Sequence, residues 1–76
     1  MKMISVYTCL MAQMYLQGMD SRELAQRAGL PYASLRRKMR GDGSFKLEEA
    51  ACIRKILRCD LPLEELFRRK DRQYDA

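Results

Sequence analysis

Apolar residues recur along this chain at spacings of three and four, the period of a helix packed on one side. The pattern is sharpest between Asp20 and Arg40. There Leu24, Ala25 and Ala28 form a small apolar face, and Leu35 and Met39 mark the buried side of a second helix. Asp20 is a good N-cap, and Glu23 follows three residues later, as in a capping box. Gly29 stops the first of these helices, because glycine accepts the left-handed conformation that the turn needs. Leu30 plugs the turn into the core. Pro31 suits the start of a new helix, where its missing N–H is not needed. The two helices are expected over about Ser21 to Ala28 and Tyr32 to Arg40, with Gly41 as terminator.

The flanking segments follow the same period. Ile4 to Gln17 reads as a first helix that Gly18 ends. Its apolar residues surround it almost completely, whereas a surface helix needs only one apolar stripe. Val6, Leu10 and Met14 make the better core stripe. Cys9, Ala12 and Leu16 lie towards the other side, where they suit contact with a second subunit. Asp42-Gly43-Ser44 is a loop of turn formers, and Phe45 anchors it to the core. A fourth helix is expected from Leu47 to about Arg58, with Ala50, Ile53 and Leu57 inward and a second stripe of Cys52, Ile56 and Cys59. That stripe either packs on the first helix or joins the dimer contact. After Asp60-Leu61-Pro62, residues 62–67 read as a last short helix burying Leu63, Leu66 and Phe67. Residues 70–76 form a charged tail with Tyr74 as its one apolar anchor, and such a tail frays. The expected fold is all-α: one domain, residues 1–69, built as a compact bundle of four to five short helices.

Length and composition agree with one small core. The chain has 76 residues, 47% of them hydrophobic, enough for a packed globule. No apolar run approaches the ~20 residues that span a bilayer. The N-terminal stretch has no small-residue cleavage site, so it makes a poor signal peptide, and a cytoplasmic location is expected. Net charge is +5. Its distribution matters more than its size: Arg36, Arg37, Lys38 and Arg40 lie within one helix that contains no acid. On a helical wheel with Leu35 and Met39 inward, Ala33, Arg37 and Arg40 point outward, and Arg36 and Ser34 flank them. Lys38 lies nearer the core and must extend along the surface.

The stretch Asp20 to Arg40, with Ala25, Gly29, Leu30 and Leu35 in their places, resembles the helix-turn-helix of phage Cro and CI-type repressors, the XRE-like DNA-binding family. The likeness continues through Gly41, Phe45, Leu47-Glu48-Glu49-Ala50, Ile53, Leu57 and Leu63 to Phe67. It departs at Lys38, where many members carry an aliphatic residue; Met39 takes over that packing role. The resemblance implies a lambda repressor-like fold and a transcriptional regulator that binds double-stranded DNA. Carried over position by position, the base-reading residues would be Tyr32, Ala33 and Arg37, with Arg36 and Arg40 nearby. Arg22, Gly43, Ser44 and Lys46 would hold phosphates. A homodimer on a two-fold symmetric operator would follow, with Cys9, Ala12, Leu16, Cys52 and Ile56 as candidate contacts.

An enzyme is not expected. Histidine is absent, there is no glycine-rich phosphate loop, and no nucleophile has a plausible partner base. No small-molecule substrate and no membrane partner is evident. The competing reading is a protein-binding module, an antitoxin or inhibitor, that uses the same basic face. Cysteines number three, with no C-x-x-C pair, so no zinc site, cofactor or disulfide framework is expected. Thermal unfolding followed by circular dichroism should therefore be nearly unchanged by a chelator or by a reductant. A large loss of helical signal with either reagent would show that the thiols hold the fold.

Overall fold

The computed structural model describes residues 5–70. It contains α1 (Thr8–Leu16), α2 (Ser21–Ala28), α3 (Tyr32–Met39), α4 (Leu47–Ile56) and α5 (Leu63–Leu66), with no strand among the described residues. The all-helical bundle is as the sequence predicts. Helix α2 packs against both α3 and α4, while α5 packs against α4 and α1. Leu10, Leu24, Leu35, Met39, Ile53, Leu57 and Leu66 are the largest fully buried side chains. Ala25 is 2% exposed on the helix shared by two neighbours, where a larger side chain would push them apart.

The first helix starts later than predicted. Ile4 lies outside the described residues, and Ser5, Val6 and Tyr7 precede α1. Their backbone groups are committed elsewhere. The Val6 N–H donates to the Met39 carbonyl at 3.0 Å, and the Val6 carbonyl accepts from the Lys70 N–H at 2.7 Å. The Tyr7 N–H donates to the Ser5 hydroxyl at 3.0 Å. A residue bonded on both sides to distant chain cannot also join a helix. Val6 is therefore only half-buried, and Tyr7 becomes the core residue at 3% exposed.

The Tyr7 ring meets Phe45 and Phe67 edge-on, with centroids 5.3 and 5.9 Å away, and the two phenylalanine rings lie 5.1 Å apart. Arg69 returns to this cluster. Its guanidinium lies 5.8 Å from the Tyr7 ring and donates to the Gly41 carbonyl at 3.4 Å. The expected tail begins at Lys70, whose amide is the one bonded to Val6, and its remainder lies outside the described residues.

The cysteines follow burial. Cys59 is buried, Cys9 half-buried and Cys52 exposed. Burial raises the Cys9 thiol above its ordinary range, helped by Cys59 and Glu65 and opposed by Arg68. At neutral pH it is a protonated, poorly nucleophilic group. Cys9 and Ile56 both pack against the core, so those two of the candidate dimer contacts face inward in part.

Helices α1 to α4 all end in the same turn, a left-handed residue followed by a 6→1 backbone bond. The bonds run from Met19 to Met14, Leu30 to Ala25, Asp42 to Arg37 and Cys59 to Arg54. Glycine supplies the left-handed residue at Gly18, Gly29 and Gly41. At the end of α4 it is Arg58, with φ 53°. That strained turn ends α4 at Ile56, two residues before the predicted Arg58; α5 is likewise shorter than residues 62–67. A non-glycine residue in this conformation costs ~1–2 kcal/mol, partly offset by the extra freedom glycine has when unfolded. Arg58→Gly should therefore raise stability by about 1 kcal/mol, and Gly29→Ala should lower it by about as much. Urea midpoints of the two variants check both signs.

Candidate nucleic-acid interface

The candidate interface is built from the two helices around Gly29. Asp20 caps α2: its Oδ1 accepts from the Glu23 N–H at 2.8 Å. The reciprocal half of the predicted capping box is replaced, because Glu23 turns to Arg27 and accepts from it at 2.8 Å. Pro31 sits at the N-cap of α3 rather than inside it, and its carbonyl accepts the first helical bond, from the Leu35 N–H. Leu35 and Met39 are fully buried, which fixes the rotation of α3 about its axis. Ala33, Arg36, Arg37 and Arg40 are consequently exposed, as the wheel predicts.

Tyr32, on the first residue of α3, is half-buried and draws two cations to its ring. The Arg22 guanidinium lies 4.4 Å from the ring centroid and that of Arg36 lies 5.7 Å away. Stacking of this kind holds a guanidinium while leaving its in-plane N–H groups free to donate. The sequence places Arg22 and Arg36 on different helices, and the ring brings them together. Arg40 lies 3.6 Å from Asp42, an exposed pair of small energetic value. Among the described residues, Arg22, Arg36 and Arg37 have no carboxylate partner, whereas Arg27 is paired with Glu23. Gly43, Ser44 and Lys46 are exposed along the loop that leaves the C-terminal end of α3, so they border the helix at the end away from Tyr32.

Lys38 does not join the basic face. Its Nζ donates to both Glu49 oxygens, at 2.7 and 2.9 Å, and lies 6.0 Å from the Phe45 ring. One of those oxygens also accepts from the Lys46 N–H at 2.9 Å. Glu49 thus caps α4 and ties it to α3 in one group. This pairing spans eleven residues, and no local signal in the sequence announces it.

Compared with protein-family models, curated proteins and solved structures, the chain matches none. A convex helix with unpaired arginines can donate to anions or to the hydrogen-bonding edges of bases. No group of three or more metal-ligating side chains occurs among the described residues.

The Glu49 link gives a pH-dependent test of the frame behind α3. The Lys38 ammonium, and after it the Lys46 N–H, hold the Glu49 carboxyl below the ordinary carboxylate range. Its folded value lies below the unfolded one of about 4.3, so the stabilisation is complete above that pH and disappears as pH falls through the folded value. Glu49→Gln should lower stability at neutral pH by about 1–2 kcal/mol. The difference from wild type should narrow below about pH 4. Urea titrations at neutral and acid pH check this; a pH-independent difference would mean that packing rather than charge is lost.

Proposed function

We propose that this chain is a sequence-specific double-stranded DNA-binding regulator of transcription, a repressor of the phage Cro and CI type, acting in a bacterial cytoplasm. The observation that carries the reading is the outer face of α3. Arg36 and Arg37 are exposed there without an acid partner, and Arg22 is stacked beside them on Tyr32. The resemblance of the stretch from Asp20 to Arg40 to that repressor family supports the same reading.

In this reading α3 lies in the major groove. Arg37, opposite Leu35 and Met39 around the helix, donates two parallel hydrogen bonds to O6 and N7 of a guanine. Ala33 meets a thymine methyl, and Tyr32, Arg36 and Arg40 contact neighbouring groups. Arg22, at the start of α2, and the N–H groups and side chains of Gly43, Ser44 and Lys46 hold phosphates on either side and set the register. One such module buries only ~600–1,000 Å² on DNA, so two copies on half-sites about 34 Å apart complete the complex. No catalytic role is assigned to any residue.

The test is a salt titration on DNA from the gene's own upstream region and on a scrambled duplex. Arg37→Ala should cost about 1–3 kcal/mol on the cognate site and much less on scrambled DNA. Arg22→Ala and Lys46→Ala should weaken both alike and flatten the slope of log affinity against log salt by about one unit. Equal losses for Arg37→Ala would reduce it to a charge near the backbone. If none of the three changes DNA binding, the docking of α3 is wrong and an acidic protein surface becomes the better partner.

A further inference from the structure

One aromatic ring joins two arginines from different helices. The Arg22 guanidinium, from the first turn of α2, lies 4.4 Å from the centre of the Tyr32 ring, and that of Arg36, one turn along α3, lies 5.7 Å from it. Both arginines are exposed, and neither has a carboxylate partner among the described residues. The start of α2 carries two acids, but each is engaged elsewhere: Asp20 accepts from the Glu23 N–H, and Glu23 accepts from Arg27. The ring also decides where Arg36 lies. Successive helical residues stand about 100° apart, so Arg36 is well to one side of Arg37. Its contact with Tyr32 makes this the side on which the ring meets Arg22 of α2.

We infer that Tyr32 is a positioning residue that holds Arg22 and Arg36 as one clamp on the DNA backbone, and that Arg36 grips phosphate rather than a base edge. The inference rests on the docking proposed above and divides the labour within it: Arg22 and Arg36 set the register, and Arg37 and Ala33 are left to read sequence. Three arguments favour phosphate. Helix α2 crosses the backbone in such a docking, so a side chain drawn towards Arg22 is drawn away from the groove floor. A guanidinium fork matches two phosphate oxygens. Two guanidinium groups on one ring also repel each other, and an anion beside them relieves that repulsion, whereas a neutral base edge does not. In the free protein the ring face offsets part of it. The role belongs to the ring rather than to the Tyr32 hydroxyl.

Binding to DNA from the gene's own upstream region and to a scrambled duplex, each over a range of salt concentrations, tests this. Arg36→Ala should weaken both by about tenfold and flatten the slope of log affinity against log salt by about one unit, as loss of a phosphate contact does. Tyr32→Leu should weaken both alike, by about fivefold, with the slope unchanged, because the charges remain and only their placement is lost. Tyr32→Phe keeps the ring and should match wild type. In the double variant the losses of Tyr32→Leu and Arg36→Ala should be less than additive. Circular dichroism should show equal helix content throughout, and if Tyr32→Leu fails to fold, Tyr32→Met takes its place. An Arg36→Ala loss confined to the cognate site would make Arg36 a base reader and overturn the clamp, while leaving the DNA reading intact. A Tyr32→Phe loss as large as that of Tyr32→Leu, or strict additivity in the double variant, would overturn it equally. A wild type that binds neither duplex would remove the DNA reading itself, and the clamp with it.

Discussion

The edge-to-face cluster of Tyr7, Phe45 and Phe67 is the contact on which the rest of the bundle depends. It joins the segment before α1, the loop before α4 and the residue after α5, three points that nothing in the local sequence brings together. Each ring pair adds ~0.5–1.5 kcal/mol beyond its burial. Position matters more than energy here. Phe45 sits in the loop that leaves α3, so the cluster ties that loop to the segment before α1 and to the residue after α5. Two cations close over the rings: Lys38 towards Phe45, and Arg69 over Tyr7 with a hydrogen bond to Gly41. A Cβ at Gly41 would stand 2.8 Å from the Arg69 guanidinium, and the glycine is left-handed, with φ 96°. The left-handed backbone is what favours glycine there, since the guanidinium ends a flexible side chain that can move aside.

The frame explains which arginines remain available. A lysine on the core side of α3 costs free energy unless its charge is paired, and Glu49 supplies that pair. The price of Lys38 is therefore a carboxylate withdrawn from the surface, and the net positive charge of the outer face is left to Arg36, Arg37 and Arg40. Of these Arg40 is partly offset by Asp42. The strongest unpaired field in α3 thus belongs to Arg36 and Arg37, in the last turn of the helix, where the helix dipole also favours cations.

Helices α2, α3 and most of α4 were legible in the sequence because their signals are local. Asp20 caps, Gly29 and Gly41 terminate, and the spacing of Leu24, Leu35, Met39, Ile53 and Leu57 sets the buried sides. The features without a local signal are non-local. Val6 leaves the helical pattern because its backbone is bonded to Met39 and Lys70, which lie far along the chain. Lys38 and Glu49 are paired across a loop, and Arg69 is held by a ring more than sixty positions earlier. The end of α4 was misplaced for a different reason. The turn is ordinary, but Arg58 stands where the glycine signal would be, so the pattern runs on past the true end. At the candidate site, exposure of Ala33, Arg36 and Arg37 followed directly from the wheel. The Arg22–Tyr32–Arg36 cluster did not, because it depends on how α2 and α3 cross.

In the proposed docking, that cluster bears on how recognition by α3 would be divided between helices. An arginine on a flexible stem loses ~2 kcal/mol of rotamer freedom when it binds, and a guanidinium already held against a ring loses less. Arg22 and Arg36 are held by one ring, so neither is positioned independently of the other. Removing the ring would release both, one on each helix, while leaving their charges in place. In the proposed docking Tyr32 would therefore act on affinity through two arginines as well as through any contact of its own. Energies assigned to Tyr32, Arg22 and Arg36 separately cannot be summed, because each is measured in the presence of the ring or the cations that hold the others. Arg37 stands apart from the stack, with no ring or carboxylate partner among the described residues. It keeps the full entropy cost of binding. A single well-directed contact there has to offset that cost, whereas the stacked pair begins with part of it removed.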